Sequence, residues 1–356
     1  MRVLVVGDVH WSEYSSIVRK RGEVYSKRLE NLINSINWVE SVAEENNVDR
    51  VVFLGDFFDK STLNATEISA LKEVVWANIP HDFIVGNHEG LSEDLELNST
   101  NIMTLVPNCR VIDRPMFDCG YGYRFLYLPY SLEENRKSIG YWLSYFTGGQ
   151  FFTQEVKQTI VFSHNDVKMK FGLLESSIGY GIDDIDNNCD LFLNGHIHSG
   201  GKFSRVGYNV GNLTGQNFGE DSTKYTHSIV LLDTNDRTFD VFENPYAFNF
   251  YKIDVSSLEE VEHFINNVVK DNSIVTIKAI ESICEDVRLL LSTNGVAVSK
   301  IKEYRVISKH INQDSDTMVD ETIIESVNHL DEFVTFIKNN LEITPMIAEE
   351  LSEVCR

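Results

Sequence analysis

The sequence predicts a layered α/β protein with a smaller α/β domain behind it and a helical tail. Three observations carry that expectation. Apolar runs of strand length alternate with segments whose apolar residues recur at helical spacing. Several of those runs end in a turn that presents Asp, His or Asn, the arrangement expected at the carboxyl edge of an open sheet. After Pro245 the rhythm of elements changes, and a polar, acidic stretch at Asn312–Asp320 follows.

In chain order, Val3–Val6, Val51–Leu54, Phe83–Val85, Phe125–Leu128, Ile160–Phe162 and Leu191–Leu193 read as buried strands. Between the first two, Leu29, Leu32, Ile33, Ile36, Val39 and Ala43 mark one face of a helix. A second helix is expected near Ile68, Leu71, Val74 and Val75. Ile229–Leu232 and Phe239–Phe242 should close the first domain, residues 1–245. Ser257 then suits the N-cap of a helix bearing Leu258, Val261, Phe264, Ile265 and Val268. Ile274–Ile280 alternates as a strand, a helix through Ile283, Val287, Leu290 and Leu291 ends at Gly295, and Val298–Val306 is a further strand. Residues 246–311 thus form a small second domain and 312–320 a linker. The tail, 321–356, is expected as two amphipathic helices: Ile323, Ile324, Val327, Leu330, Val334 and Ile337 on the first, Met346, Ile347, Leu351 and Val354 on the second. Such helices either pack back on the second domain or form a hairpin that docks on a partner.

The bulk numbers exclude several classes. Hydrophobic residues make up 42% of the 356, enough for sizeable cores, yet no apolar run approaches the ~20 residues that cross a bilayer. Five cysteines, none in a CxxC spacing, argue against a disulfide framework or zinc knuckle and for a reducing cytoplasm. Met1–Val6 runs straight into a charged motif without a small-residue cleavage site, which is not the pattern of a signal peptide. A net charge of −23 is unlike a free-standing nucleic-acid binder, so any such role needs positive charge from metal ions or a basic partner.

Five turns carry the chemistry: Gly7-Asp8-Val9-His10, Gly55-Asp56-Phe57-Phe58-Asp59, Gly86-Asn87-His88-Glu89, Ser163-His164-Asn165 and Asn194-Gly195-His196-Ile197-His198. Asp, Asn and neutral imidazole together suit manganese, iron or zinc and do not suit calcium. A close pair of such cations needs one shared carboxylate, and Asp56 is the natural bridge. Asp59 either orients the site or caps the following helix. His81, His227, His263, His310 and His329 fall in no motif and read as structural.

The order DxH, GDxxD, GNH(E/D), H, GHxH resembles the signature of the calcineurin-like metallophosphoesterases. The resemblance implies a four-layer α/β-β/α sandwich and a metal-dependent phosphodiesterase. It implies that Asp8, His10, Asp56 and His198 hold one divalent ion, and that Asp56, Asn87, His164 and His196 hold a second. His88 would be the catalytic imidazole, and the ion pair would activate water for in-line attack on phosphorus. Over nearly its whole length the chain is similar to the SbcD-type nucleases of double-strand-break repair and their bacteriophage relatives. Gly211-Asn212-Leu213-Thr214 to Phe218-Gly219-Glu220 stands where that group has a glycine-rich loop ending in FGE. Two departures stand out: no proline near Leu213, and Glu89 where the nucleases usually carry Asp.

That resemblance implies manganese (magnesium or another divalent ion being possible), a DNA substrate, and a partner. The partner is an SbcC-type ABC ATPase held by the C-terminal helices, within a heterotetramer built on a homodimer of this chain. The setting is the cytoplasm, or the host's for a phage protein, with no membrane role. Arg19, Lys20, Arg21, Lys27 and Arg28, with Lys168 and Lys170, either contact DNA phosphates on the rim of the site or form a solvated surface cluster. A capping domain that contacts DNA belongs to the same expectation for 246–311.

Overall fold

The structure is a computed structural model; it describes residues 1–18, 22–120, 122–148, 158–168, 170–171, 174–235, 238–307 and 323–326. The elements run β1 (Arg2–Val6), α1 (Lys27–Glu45), β2 (Arg50–Phe53), α2 (Ala65–Ala70), β3 (His81–Ile84), β4 (Cys109–Ile112), β5 (Met116–Gly120) and β6 (Tyr123–Leu128). They continue with α3 (Ile139–Thr147), β7 (Gln158–Ser163), β8 (Lys170–Phe171), β9 (Leu174–Glu175), α4 (Ile182–Asn188), β10 (Leu191–Asn194), β11 (Gly201–Lys202) and β12 (Gly207–Asn209). The remainder is β13 (Ser228–Asp233), β14 (Thr238–Glu243), β15 (Asn249–Val255), α5 (Leu258–Asn267), β16 (Ser273–Ile280), α6 (Cys284–Thr293), β17 (Ala297–Ile307) and β18 (Ile323–Ser326).

Two six-stranded sheets dominate, ordered β14-β13-β1-β2-β3-β4 and β11-β12-β10-β7-β6-β5. Strand alternation sorts side chains between layers. Val3, Val5, Val52 and Leu54 face a core shared with Phe125, Ile160, Phe162 and Leu193 of the second sheet. Their neighbours Leu4, Val6, Val51 and Phe53 face outward onto Leu29, Leu32 and Ile36 of α1 and Ala70 of α2. Beyond the second sheet, Leu126, Val161 and Phe192 pack with Ile139 of α3 and Ile185 of α4. The result is the expected helix–sheet–sheet–helix stack, with β1, β2, β3, β6, β7 and β10 all where the apolar runs place them.

α1 starts as its sequence dictates, with the Ser26 hydroxyl accepting from Leu29 N. α2 is shorter than expected. Asn64 and Glu67 form a reciprocal cap at its start, but the helix stops at Ala70 and passes through a 3₁₀ turn at Leu71–Glu73. Val75 lies outside it and donates its N–H to the Asn37 side chain at 2.8 Å. A side chain from α1 has replaced the next turn's carbonyl as acceptor.

By contacts the chain divides into two units, Met1–Phe250 with Lys270–Ser273, and Tyr251–Val269 with Ile274–Arg356. Sequence drew the line at 245. In the second unit, β15-β16-β17-β18 form one sheet. Its core joins Val261 and Phe264 of α5 and Val287 and Leu291 of α6 to Val275 and Ile277 of β16. Ser257 caps α5 through Glu260 N, and Gly295 follows α6 with φ 74°.

The tail expectation needs a correction. Ile323–Ser326 is a strand, paired antiparallel to Tyr304–Ile307, not the start of a helix. Consecutive β-branched residues favour extended backbone, and the long β17 offers an edge to pair with. The other tail residues expected to bind a partner, Val327, Leu330, Val334, Ile337, Met346, Ile347, Leu351 and Val354, lie outside the described residues, as does the 312–320 linker. Among the described residues Cys109, Cys119, Cys189 and Cys284 form no disulfide. Among the described residues no helix is long and apolar enough to cross a membrane.

Candidate metal centre

The five turns follow β1, β2, β3, β7 and β10, and all five open at the same edge of the first unit. They are locked to each other by backbone bonds. Val9 N and His10 N both donate to Asp56 O, at 3.1 and 2.8 Å, and Leu213 N donates to Asp8 O at 2.8 Å. The side chains join in. His196 N reaches both Asp8 carboxylate oxygens at 3.1 Å, and His88 N reaches Asp56 Oδ1 at 3.0 Å.

Such close approach has a conformational cost. His10, Asp56 and His196 adopt φ of 50°, 46° and 67°, a left-handed backbone that non-glycine residues hold only when their surroundings enforce it. Two glycines are required by space. A Cβ on Gly55, itself at φ 105°, would fall inside the His164 imidazole, and one on Gly86 would fall on the Asp56 carboxylate.

Hydrogen-bond acceptors fix the ring tautomers. His10 donates Nδ1–H to Asp59 Oδ1 at 3.2 Å, and His198 donates Nδ1–H to Glu220 Oε1 at 2.7 Å. Each ring therefore turns a bare Nε2 inward, and the two Nε2 atoms are 3.1 Å apart. His164 donates Nδ1–H to Leu54 O at 2.8 Å; its Nε2 faces Asp56 Oδ2 at 3.2 Å and Asn87 Oδ1 at 3.1 Å. His196 donates from Nε2 to Asp166 Oδ1 at 3.1 Å and turns Nδ1 to the same Asn87 oxygen at 3.0 Å. Lone pair thus faces lone pair at several points, an arrangement that cations relieve. Candidate ligand atoms within 4.8 Å of one another form the groups Asp8–His10–His198 and Asp56–His164–His196, and Asp56 also groups with His10 and His88. Asp8, His10, Asp56, Asn87, His164, His196 and His198 are thus brought together, with Asp56 placed between the two sets. Nitrogen and oxygen donors of this mix fit divalent transition ions.

The field at the centre is strongly negative. Burial pulls the His164 imidazolium down, but Asp56, Asp8 and Glu89 outweigh it and push the ring up to about 9, so that without a cation a proton on Nε2 takes the place of one. Burial likewise opposes ionisation of Asp56, yet His164, His10 and His88 hold it well below the usual carboxylate range. His88 differs from the rest. Its side chain is 43% exposed, its Nδ1 donates to Asp59 O at 3.0 Å, and its ring meets His10 edge-on at 4.8 Å. Its Nε2 is left for a bound molecule.

Four supporting carboxylates were invisible or ambiguous in the sequence. Asp59 holds His10, and the helix cap it was weighed for belongs to Asn64. Glu220, the last residue of the FGE, is the partner of His198 and also accepts from Gln216 N at 2.6 Å. Asp166 holds His196 and is itself 3.5 Å from Arg136 Nη2. Glu89 explains the departure from Asp: one oxygen accepts from Phe58 N at 3.0 Å and the other from Gly86 N at 2.7 Å, so one carboxylate ties two turns together. Burial and the charge of Asp56 push Glu89 up to about 7.

The basic cluster is partly corrected. Arg28 is buried and donates Nη1–H to Gly215 O at 2.9 Å, so it cannot lie on an exposed rim. Its aliphatic stem starts from the first turn of α1, next to the buried Leu29, and the helix carries it inward. Lys27 is half exposed and pairs with Glu30, and exposed Lys168 sits 3.6 Å from Glu133. Arg19, Lys20 and Arg21 lie outside the described residues, and Lys170 is described only as part of β8.

Residues 1–200 match the family model described as calcineurin-like phosphoesterase. No curated protein matches the chain. Among solved structures, TT1561 of Thermus thermophilus is similar at 12% identity and TM-score 0.41, over 68% of this chain and 98% of that one. Purple acid phosphatase PPD1 from seeds of yellow lupin (Lupinus luteus) is similar at 12% identity and TM-score 0.44, over 68% of this chain and 51% of that one. The chain thus spans about half the length of the plant enzyme.

Proposed function

The chain belongs to the calcineurin-like phosphoesterase family, metal-dependent hydrolases of phosphoester bonds, and from that premise we propose that it is the two-metal DNA nuclease subunit of an SbcCD-like complex. One observation carries the chemistry: seven side chains from five turns converge so that acceptors face acceptors at 3.0–3.1 Å, which divalent cations would relieve. Asp8, His10, Asp56 and His198 would hold one ion; Asp56, Asn87, His164 and His196 would hold the other. A divalent pair, most simply manganese, supplies Lewis acidity and neutralises charge on a phosphodiester. The chain supplies the proton. His88 acts as the imidazolium: with its Nδ1–H fixed on the Asp59 carbonyl, it would pass its Nε2 proton to the departing oxygen while the attacking water gives up one.

The nuclease reading draws on the sequence resemblance, which reaches beyond the metal motifs to the loop ending in Glu220, the residue that positions His198. It entails 3′-to-5′ exonuclease action on duplex ends and endonuclease action on single strands, gated by a partner ATPase. A DNA-contacting second domain and a tail that docks on that ATPase belong to the same proposal. Incubation with linear duplex DNA in manganese tests it, with and without an SbcC-type ATPase co-expressed for co-purification. End-dependent degradation supports the reading; an inert duplex in both cases defeats it.

The net charge of −23 favours a second reading, a phosphoesterase for nucleotides or phosphoproteins. Release of phosphate from mononucleotides or a phosphopeptide, with linear DNA left intact, would select it.

A further inference from the structure

A cavity of about 190 Å³ opens beside His10 and Asp59, walled by Ser12, Tyr14, Ser15, Arg28 and Gln216 among others. It is small beside the roughly 300–1,000 Å³ usual for small-molecule sites, room for one ring system. Its wall has two unusual polar groups. Arg28 is a cation at 3% exposure. Gln216 Nε2 is buried and has no acceptor among the described residues, a donor that native structures seldom leave unmet. At the mouth, Tyr14 leaves 71% of its surface exposed.

The charge balance decides what fits. Arg28 already lies in the field of Asp59 and Glu220, and Asp59 is itself part of the wall. A second phosphate would set negative charge against Asp59. A neutral, flat heterocycle with carbonyl and ring-nitrogen acceptors would not, and it would answer the buried donors while stacking on an exposed aromatic ring. We propose that this cavity is a subsite for the nucleobase next to the scissile phosphate, with Gln216 and Arg28 donating to the base edge and Tyr14 covering its face. The proposal rests on the phosphodiesterase reading and deepens it: the substrate is a nucleotide ester, recognised on one side by its base.

Two phosphodiesters separate the possibilities. Bis-p-nitrophenyl phosphate has no base; the p-nitrophenyl ester of thymidine 5′-monophosphate has one. In manganese, the ratio of their kcat/KM values should favour the nucleoside ester, and Gln216→Leu should lower that ratio about fivefold to tenfold, the worth of one hydrogen bond to a buried donor. Independently of catalysis, thymidine or adenosine added to metal-free protein should shift the Gln216 side-chain amide resonances, assigned by their loss in Gln216→Leu. A ratio unchanged by Gln216→Leu, or amide resonances that ignore nucleosides, overturns the subsite. If the wild-type chain hydrolyses neither ester, the phosphodiesterase reading itself has failed, a different result.

Discussion

Two polar clusters in the first unit, each built around a buried carboxylate, invite comparison. At the metal centre, acceptors face acceptors. In the second cluster they face donors. Asp82, 1% exposed, accepts from Arg50 Nη1 at 2.6 Å, from Arg110 Nε and Nη2 at 2.8 and 2.9 Å, and from the Tyr127 hydroxyl at 3.0 Å. Asp118 takes a further bond from each arginine, at 3.3 and 2.9 Å. Two arginines balance two carboxylates, and residues from β2, β3, β4, β5 and β6 are cross-linked where the edges of both sheets meet. Burial alone therefore does not mark a functional site. The sign of the mismatch does: a balanced network holds the fold, and an acceptor-rich one holds a cation.

Substitutions in each cluster should fail in different ways. The largest effect is expected at His88, the exposed imidazole beside the metal centre. His88→Ala should lower phosphodiester turnover about 10²–10⁴-fold while metal content by mass spectrometry stays at the wild-type level; parallel loss of metal would make His88 a ligand instead. In the balanced cluster, Asp82→Ala leaves Arg50 and Arg110 with Asp118 as their remaining carboxylate and the buried Tyr127 hydroxyl without its acceptor. It should cost on the order of 1–3 kcal/mol in urea unfolding, with normal metal binding by the fraction that remains folded. A smaller loss belongs to the carboxylates behind the ligands: Glu220→Gln should weaken metal binding about 10–100-fold with little change in stability, measured by competition with a chelator.

Two histidines sharpen the comparison most finely. His164 and His227 are equally buried, yet neighbouring carboxylates raise the first to about 9 while desolvation lowers the second to about 4. His227 has Asn212 Oδ1 at 2.7 Å as acceptor and a buried Nε2 without a partner among the described residues. Its folded state binds the proton less readily than the unfolded chain does. Its contribution to stability is therefore complete above about 6.5 and is lost as pH falls toward about 4, by up to about 1.4 kcal/mol per pH unit. Unfolding at pH 7, 6 and 5 should show wild type losing more stability than His227→Gln over that interval; parallel losses would mean that His227 is not held neutral.

Local chemistry made much of the molecule legible. Apolar runs of strand length and turns ending in Asp, His or Asn are properties of a few adjacent residues, and both sheets formed where those runs lie. The Ser26 and Ser257 caps are equally local. What eluded the sequence depends on distance. Nothing adjacent to Glu220 says that it will meet His198, 22 residues back, and nothing near Arg50 announces Asp118, 68 residues on. Ile323 and Ile324 fit a helical stripe in isolation, and only the open edge of β17 made them a strand.

By itself, then, the sequence determined the strand–helix order, the seven ligand candidates and His88, because strand ends deliver whatever residues follow them to one edge of a sheet. Tertiary structure alone decided the imidazole tautomers, the paired roles of Asp59, Asp166 and Glu220, and the inward turn of Arg28. Those depend on which donor meets which acceptor after the layers close, and on how far each group is then removed from water.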